Sequence, residues 1–130
     1  MTNNLTATLL AIFFGGGFGC VARFAVSILA MRLGGAGFPW GTLAVNLIGA
    51  FCIGLFIEAM AMKNNAHPLL PYLLLTGFLG GFTTFSAFSL ESAQMWIRGA
   101  YAPLIIYICV SVIGTLAMVL LALRVARRLF

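Results

Sequence analysis

Tyr107, Ser111 and Thr115 recur at i, i+4 and i+8 in an otherwise apolar run, which places three hydroxyls on one stripe of a helix. Such a stripe offers hydrogen-bond donors along a narrow path. Its plainer explanation is back-bonding of Ser and Thr to the carbonyl four residues earlier. Asn46 stands alone in the apolar stretch Gly41-Thr42-Leu43-Ala44-Val45-Asn46-Leu47-Ile48-Gly49. Its amide either joins two helices, a bond worth about 0.6–2 kcal/mol in a membrane, or greets a partly dehydrated anion. Arg23 follows 22 residues without a charge. It is either a fixed positive charge at the mouth of an anion path or a side chain reaching back to the interface. Phe85 and Phe88, three apart, share a helix face. Their usual place is lipid or core, yet ring edges carry the positive end of the aromatic quadrupole and can meet an anion.

The densest feature is Gly77-Phe78-Leu79-Gly80-Gly81-Phe82-Thr83-Thr84-Phe85-Ser86-Ala87-Phe88-Ser89. Each glycine costs a helix interior about 1 kcal/mol. Three of them followed by β-branched threonines predict a break in the helix; a flexible glycine patch for packing is the alternative. Within a membrane, a break is tolerated only where its backbone is buried in protein or lines a cavity. Its exposed carbonyls are hard oxygen ligands suited to a small cation. No catalytic constellation accompanies these residues, and His67 is the single histidine. The chain reads as a non-enzyme.

The elements that position these groups follow from composition. In 130 residues, 63% are hydrophobic and 7% charged, and mean hydropathy is +1.15. Soluble domains carry roughly 25% charged residues. A soluble enzyme, a nucleic-acid binder and a disordered chain are therefore excluded. Residues 1–22, 33–57, 64–90 and 99–123 contain no Lys, Arg, Asp or Glu. A bilayer core about 30 Å thick takes roughly 20 helical residues to cross, so the four runs predict four spans. They are placed near 5–31, 40–62, 69–97 and 102–125, with a break in the third. The expected fold is one all-α, four-helix transmembrane domain over residues 1–130. The first run lacks a basic stretch before it and reads as a span, not a cleaved signal peptide. Cys20, Cys52 and Cys109 fall one each in spans 1, 2 and 4 and read as small packing residues. Glu58 reads as interfacial, while Glu91 follows the break and faces a vestibule.

Four spans put both termini and the middle loop on one side. That side holds Lys63, Arg124, Arg127 and Arg128; the other holds Arg32 and Arg98, with Arg23 near it. The bias mildly favours cytoplasmic termini, and so small a bias permits insertion in both orientations. Four helices fill the space between them with their own side chains. Transport by this chain therefore implies an oligomer, a dimer before any other. Gly15, Gly16, Gly17, Gly19, Gly49 and Gly54 permit close helix approach, within one chain or between two.

In three motifs the chain resembles the small fluoride channels of the Fluc (CrcB) family. These are Gly15-Gly16-Gly17 through Arg23-Phe24, the Gly41–Gly49 stretch around Asn46, and the long Gly77–Ser89 stretch. Length and span count agree as well. The resemblance implies an antiparallel, dual-topology homodimer in the inner (plasma) membrane with two fluoride pores, through which cytoplasmic fluoride leaves passively. It implies that Asn46 and Arg23 stand at the pore mouth and vestibule, and that Phe85 and Phe88 line the pores. Ser111 would be the pore serine, with Tyr107 and Thr115 on its hydroxyl track. The carbonyls of Gly80 and Thr83 would hold a structural sodium ion at the dimer centre. One departure is Ala87, where the family often has threonine. A small proton-coupled multidrug exporter is the alternative function, but it relies on a carboxylate in span 1, where this chain has Arg23. A non-transporting assembly subunit would explain the glycines but not the hydroxyl stripe and the break together.

Overall fold

The computed structural model describes residues 2–62 and 67–129. Lys63, counted above among the charges of the middle loop, lies outside the described residues. Four helices are long and apolar enough to cross a membrane: Asn4–Gly34, Trp40–Met62, Tyr72–Ile97 and Tyr101–Leu129. All described regular structure is helical, so the four-span, all-α expectation holds.

Helix α1 (Thr2–Gly34) runs three residues past its expected end. It stops where Gly35 adopts φ +78° and donates its N–H to the Met31 carbonyl at 2.9 Å. A left-handed residue just past the last turn is the usual helix terminator, and glycine takes it without a Cβ penalty. Helix α2 (Trp40–Met62) begins directly after Pro39, whose missing N–H costs nothing at a helix start. Its bounds are those read from the sequence.

The third span is composite. It starts beside His67, whose ring Nδ1 accepts from the Leu69 N–H at 3.2 Å. Helix α3 then runs in wide π-type turns through Tyr72–Leu79, followed by a single α-turn, Gly80–Phe82. The Gly80 N–H donates five residues back, to the Leu75 carbonyl. Thr83 and Thr84 leave the helix, and α4 (Phe85–Ile97) resumes it. Helix α5 (Tyr101–Leu129) is continuous and runs four residues past its expected end.

Close backbone approach sets the packing. A Cβ on Gly15 would strike the Leu73 carbonyl oxygen, and one on Gly19 the Phe78 carbonyl oxygen, so α1 and α3 lie backbone against backbone. Gly54 does the same for α2 against α5, meeting Ala122 and the Val119 carbonyl. The glycines named in the sequence thus serve contact within the chain at these positions. Near the opposite end of α2, Leu43, Met95, Leu104 and Tyr107 form a buried cluster, with Phe38 and Phe88 packed on it. Replacing Gly19 by valine is expected to destabilise the fold by about 3 kcal/mol, because the obstructing atoms are backbone and cannot step aside. Heating in detergent followed by size-exclusion chromatography should show early loss of the Gly19→Val peak. The Gly37→Ala protein, with open space at its Cβ, should keep its own.

Candidate functional site

The break is built by its own threonines together with a side chain from α2. Thr83 sits at φ −81°, ψ 160° and Thr84 at φ −153°, ψ 124°, both extended. Asn46 on α2 clamps Thr84 by both of its backbone polar groups. Its Nδ2 donates to the Thr84 carbonyl at 2.9 Å, and its Oδ1 accepts from the Thr84 N–H at 2.8 Å. Gly49, one turn along α2, leaves room for the Thr83 methyl, which a Cβ there would overlap. The Thr84 hydroxyl caps α4 by accepting from the Ala87 N–H at 3.2 Å.

These diversions decide which carbonyls are left over. In a continuous helix the Thr84 N–H would go to the Gly80 carbonyl and the Ala87 N–H to the Thr83 carbonyl. The first goes to Asn46 and the second to the Thr84 hydroxyl. Gly80 and Thr83 are thus two of the residues whose carbonyls the break releases, with Gly81 and Phe82 between them. The Thr83 carbonyl receives a long 3.4 Å contact from Arg23 Nη1. The break does not fall on the glycines themselves. Gly77, Gly80 and Gly81 remain helical, and Gly77 and Gly81 lie against the α1 backbone at Gly15 and Gly16. The threonines make the break, because each has a hydroxyl that competes for backbone partners.

On the α1–α2 loop side of the break lies a vestibule of about 700 Å³, lined among others by Arg23, Thr42, Thr84, Glu91, Gln94 and Arg98. Arg23 turns inward toward the break, and its Nη2 also reaches Cys20 Sγ at 3.6 Å. Glu91 faces this space, as its position after the break suggested. Its carboxylate accepts from the Thr42 hydroxyl at 2.8 Å and from the Tyr107 hydroxyl at 2.7 Å. Both donors are buried.

Beyond the break a groove of about 500 Å³ runs along α2, α4 and α5, lined among others by Asn46, Thr84, Phe85, Phe88, Ser111 and Thr115. Thr84 borders both spaces. Phe85 and Phe88 stand 5.4 Å apart by ring centroids, and Phe88 lies 5.2 Å from the Tyr107 ring. Phe85 is 77% exposed in the single chain, Ser111 only 6%. Among the described residues, Ser111 Oγ is the buried side-chain polar atom with no hydrogen-bond partner.

The hydroxyl stripe therefore divides into three. Tyr107 is committed to Glu91, Ser111 is unengaged at the groove wall, and Thr115 is back-bonded to the Ser111 carbonyl at 2.6 Å. For Thr115 the plainer explanation is the one observed. Asn46, Phe85, Phe88, Ser111 and Thr115 converge on the groove together with Gly80 and Thr83, while Arg23 and the Tyr107–Glu91 pair belong to the vestibule side. Thr42 and Thr84 were missed as site residues. Thr42 lies one turn before Asn46 on the same face of α2, a spacing that could have drawn attention to it.

Comparison with known proteins gives one consistent result. The sequence model of the family described as CrcB-like protein, Camphor Resistance (CrcB), matches residues 10–123. The chain is 50% identical over 120 residues to the fluoride-specific ion channel FluC of Rhizobium johnstonii, covering 92% of this chain and 96% of that one. It is 47% identical to the protein of the same name from Agrobacterium fabrum, over 89% of this chain and 93% of the relative. The counterpart from Paracoccus denitrificans is 47% identical over 95% of this chain and 97% of its own.

Proposed function

The chain belongs to the CrcB family, and from that membership we propose that it is a fluoride-specific ion channel which lets cytoplasmic fluoride leave down its electrochemical gradient. It is a multi-pass plasma-membrane protein and not an enzyme. The observation that carries the reading is Ser111: a buried hydroxyl without a partner, on a residue that lines a groove together with Phe85 and Phe88. An unsatisfied donor in an apolar wall is costly, and an anion stripped of part of its water is the partner it fits.

Fluoride is small and strongly hydrated, so a path for it must replace water donor by donor. The Ser111 hydroxyl, the Asn46 Nδ2 hydrogen not used on Thr84, and the edges of Phe85 and Phe88 offer such replacements in sequence. Each is weak enough to release the ion again, which conduction requires. Arg23 holds positive charge on the vestibule side, Thr115 borders the groove with its hydroxyl turned to the Ser111 carbonyl, and Tyr107 acts through Glu91. A weak acid such as hydrogen fluoride enters cells as the neutral species and dissociates inside; a passive anion pore reverses that accumulation without an energy source. Cation exchange is disfavoured because α1 holds no carboxylate.

The working unit is an antiparallel, dual-topology homodimer with two pores. What supports it is the open side of the groove, where Phe85 and Gly80 are exposed in the single chain and a second copy would close the wall. Gly80 and Thr83, two of the residues whose carbonyls the break frees, would offer a sodium ion hard, uncharged oxygens, two per chain and four across a two-fold axis. Bound there, sodium would supply structural charge that holds the two breaks together.

Fluoride efflux from liposomes carrying the purified chain, followed with a fluoride electrode against chloride-loaded vesicles, tests the reading. Rapid fluoride release without chloride release is expected. Folded protein in sodium buffer that releases no fluoride would overturn it. The same vesicles after exhaustive exchange of sodium for a large organic cation should lose most of their efflux; full efflux would remove the ion site.

A further inference from the structure

The charge balance of the vestibule rests on a residue outside the pore machinery. Three of its lining residues are charged: Arg23, Glu91 and Arg98. Glu91 is engaged by two hydroxyls and by no cation, since the one side-chain ion pair among the described residues joins Arg127 to Glu58. The vestibule therefore carries a net charge of one positive unit, and Arg98 is what tips it. Without Arg98, Arg23 and Glu91 would cancel.

Arg98 is also held in place. It ends α4, and the turn after it is a two-bond helix stop. Gly99 takes φ +72° and donates its N–H to the Trp96 carbonyl at 3.0 Å, while the Ala100 N–H donates to the Met95 carbonyl at 2.9 Å. This is the Schellman arrangement, anchored by a Met95 side chain that is 2% exposed. Arg98 Nε then donates to the Gln94 carbonyl at 3.2 Å, which folds the side chain back along the helix. Arg98 held in this way is one of the residues lining the vestibule.

We propose that Arg98 is the anion-gathering residue of the vestibule, raising the local fluoride concentration at the mouth without binding the ion inside the pore. The proposal rests on the fluoride-channel reading. A fixed charge in a cleft focuses its field and speeds arrival of the opposite ion. Such an effect reaches about 30 Å at 0.01 M ionic strength and about 3 Å at 1 M. It should therefore fade with salt, whereas a defect in the pore or the fold should not.

The test is fluoride current in bilayers of uncharged lipid at about 0.01 M and about 1 M fluoride. At the lower concentration, Arg98→Gln should carry about 2- to 5-fold less current than the parent protein, and Arg98→Glu less again. At the higher concentration all three should converge, and Arg98→Lys should match the parent throughout. A ratio of parent to Arg98→Gln that is equal at both concentrations would overturn the proposal. So would an Arg98→Lys current as low as that of Arg98→Gln, which would mark Arg98 as a helix cap alone. A parent protein that carries no fluoride current at either concentration would instead overturn the channel reading, and this proposal with it.

Discussion

Fluoride efflux should fall by at least about 100-fold when Asn46 is replaced by aspartate, a barrier increase of about 2.7 kcal/mol. Two effects add. Aspartate has no Nδ2, so the 2.9 Å bond to the Thr84 carbonyl becomes an approach of two oxygens. The carboxylate also places negative charge on the wall of the groove, the path proposed for the anion. Asn46→Ala separates the two, since it removes the clamp and adds no charge. The alanine variant is expected to retain more efflux than the aspartate variant, with both compared at equal amounts of folded protein from size-exclusion chromatography. Full efflux through Asn46→Asp would remove Asn46 from the pathway and leave it a helix-to-helix tie.

Phe85→Ile is the second change with a large expected effect, at least about tenfold in efflux, or about 1.4 kcal/mol. Phe85 is 77% exposed and has Phe88 as its ring neighbour. Substituting an exposed apolar side chain by another shifts stability within about 0.5 kcal/mol, so the fold within one chain should survive. What isoleucine cannot supply is the polarised ring edge. A loss of efflux with unchanged thermal stability would tie the ring to the ion. Unchanged efflux kinetics would return Phe85 to a packing role, against lipid or a second copy.

The spans were legible because burial in lipid leaves a coarse signature, the absence of charge over a fixed length. The bounds of α2 follow from it, since Pro39 and Lys63 punctuate both ends. Helices α1 and α5 extend beyond their expected ends because Arg32, Arg127 and Arg128 sit at an interface where a helix can continue with charged residues. The break in the third span was legible from its composition, but not its position. Glycine cost pointed to Gly77, Gly80 and Gly81, yet all three stay helical, and Gly77 and Gly81 are the ones α1 packs directly onto. The clamp on Thr84 comes from a residue 38 positions earlier, and the donors on Glu91 come from two other helices. Partnerships of that kind depend on which helices meet, and spacing within a helix does not report it. The stripe of Tyr107, Ser111 and Thr115 shows the same limit: one face, three fates.

Because the Thr84 backbone is satisfied from outside its own span, the break bears on how the chain is made. A helix interrupted at Thr83 and Thr84 carries backbone groups that hydrocarbon cannot hydrogen-bond, each costing several kcal/mol if left alone. Asn46 lies on the preceding span, so its amide is synthesised and delivered to the bilayer before the threonines emerge. Chain order thus supplies the partner ahead of the need. The second span acts as a template for insertion of the third, and the two hairpins cannot be treated as independent units of biogenesis.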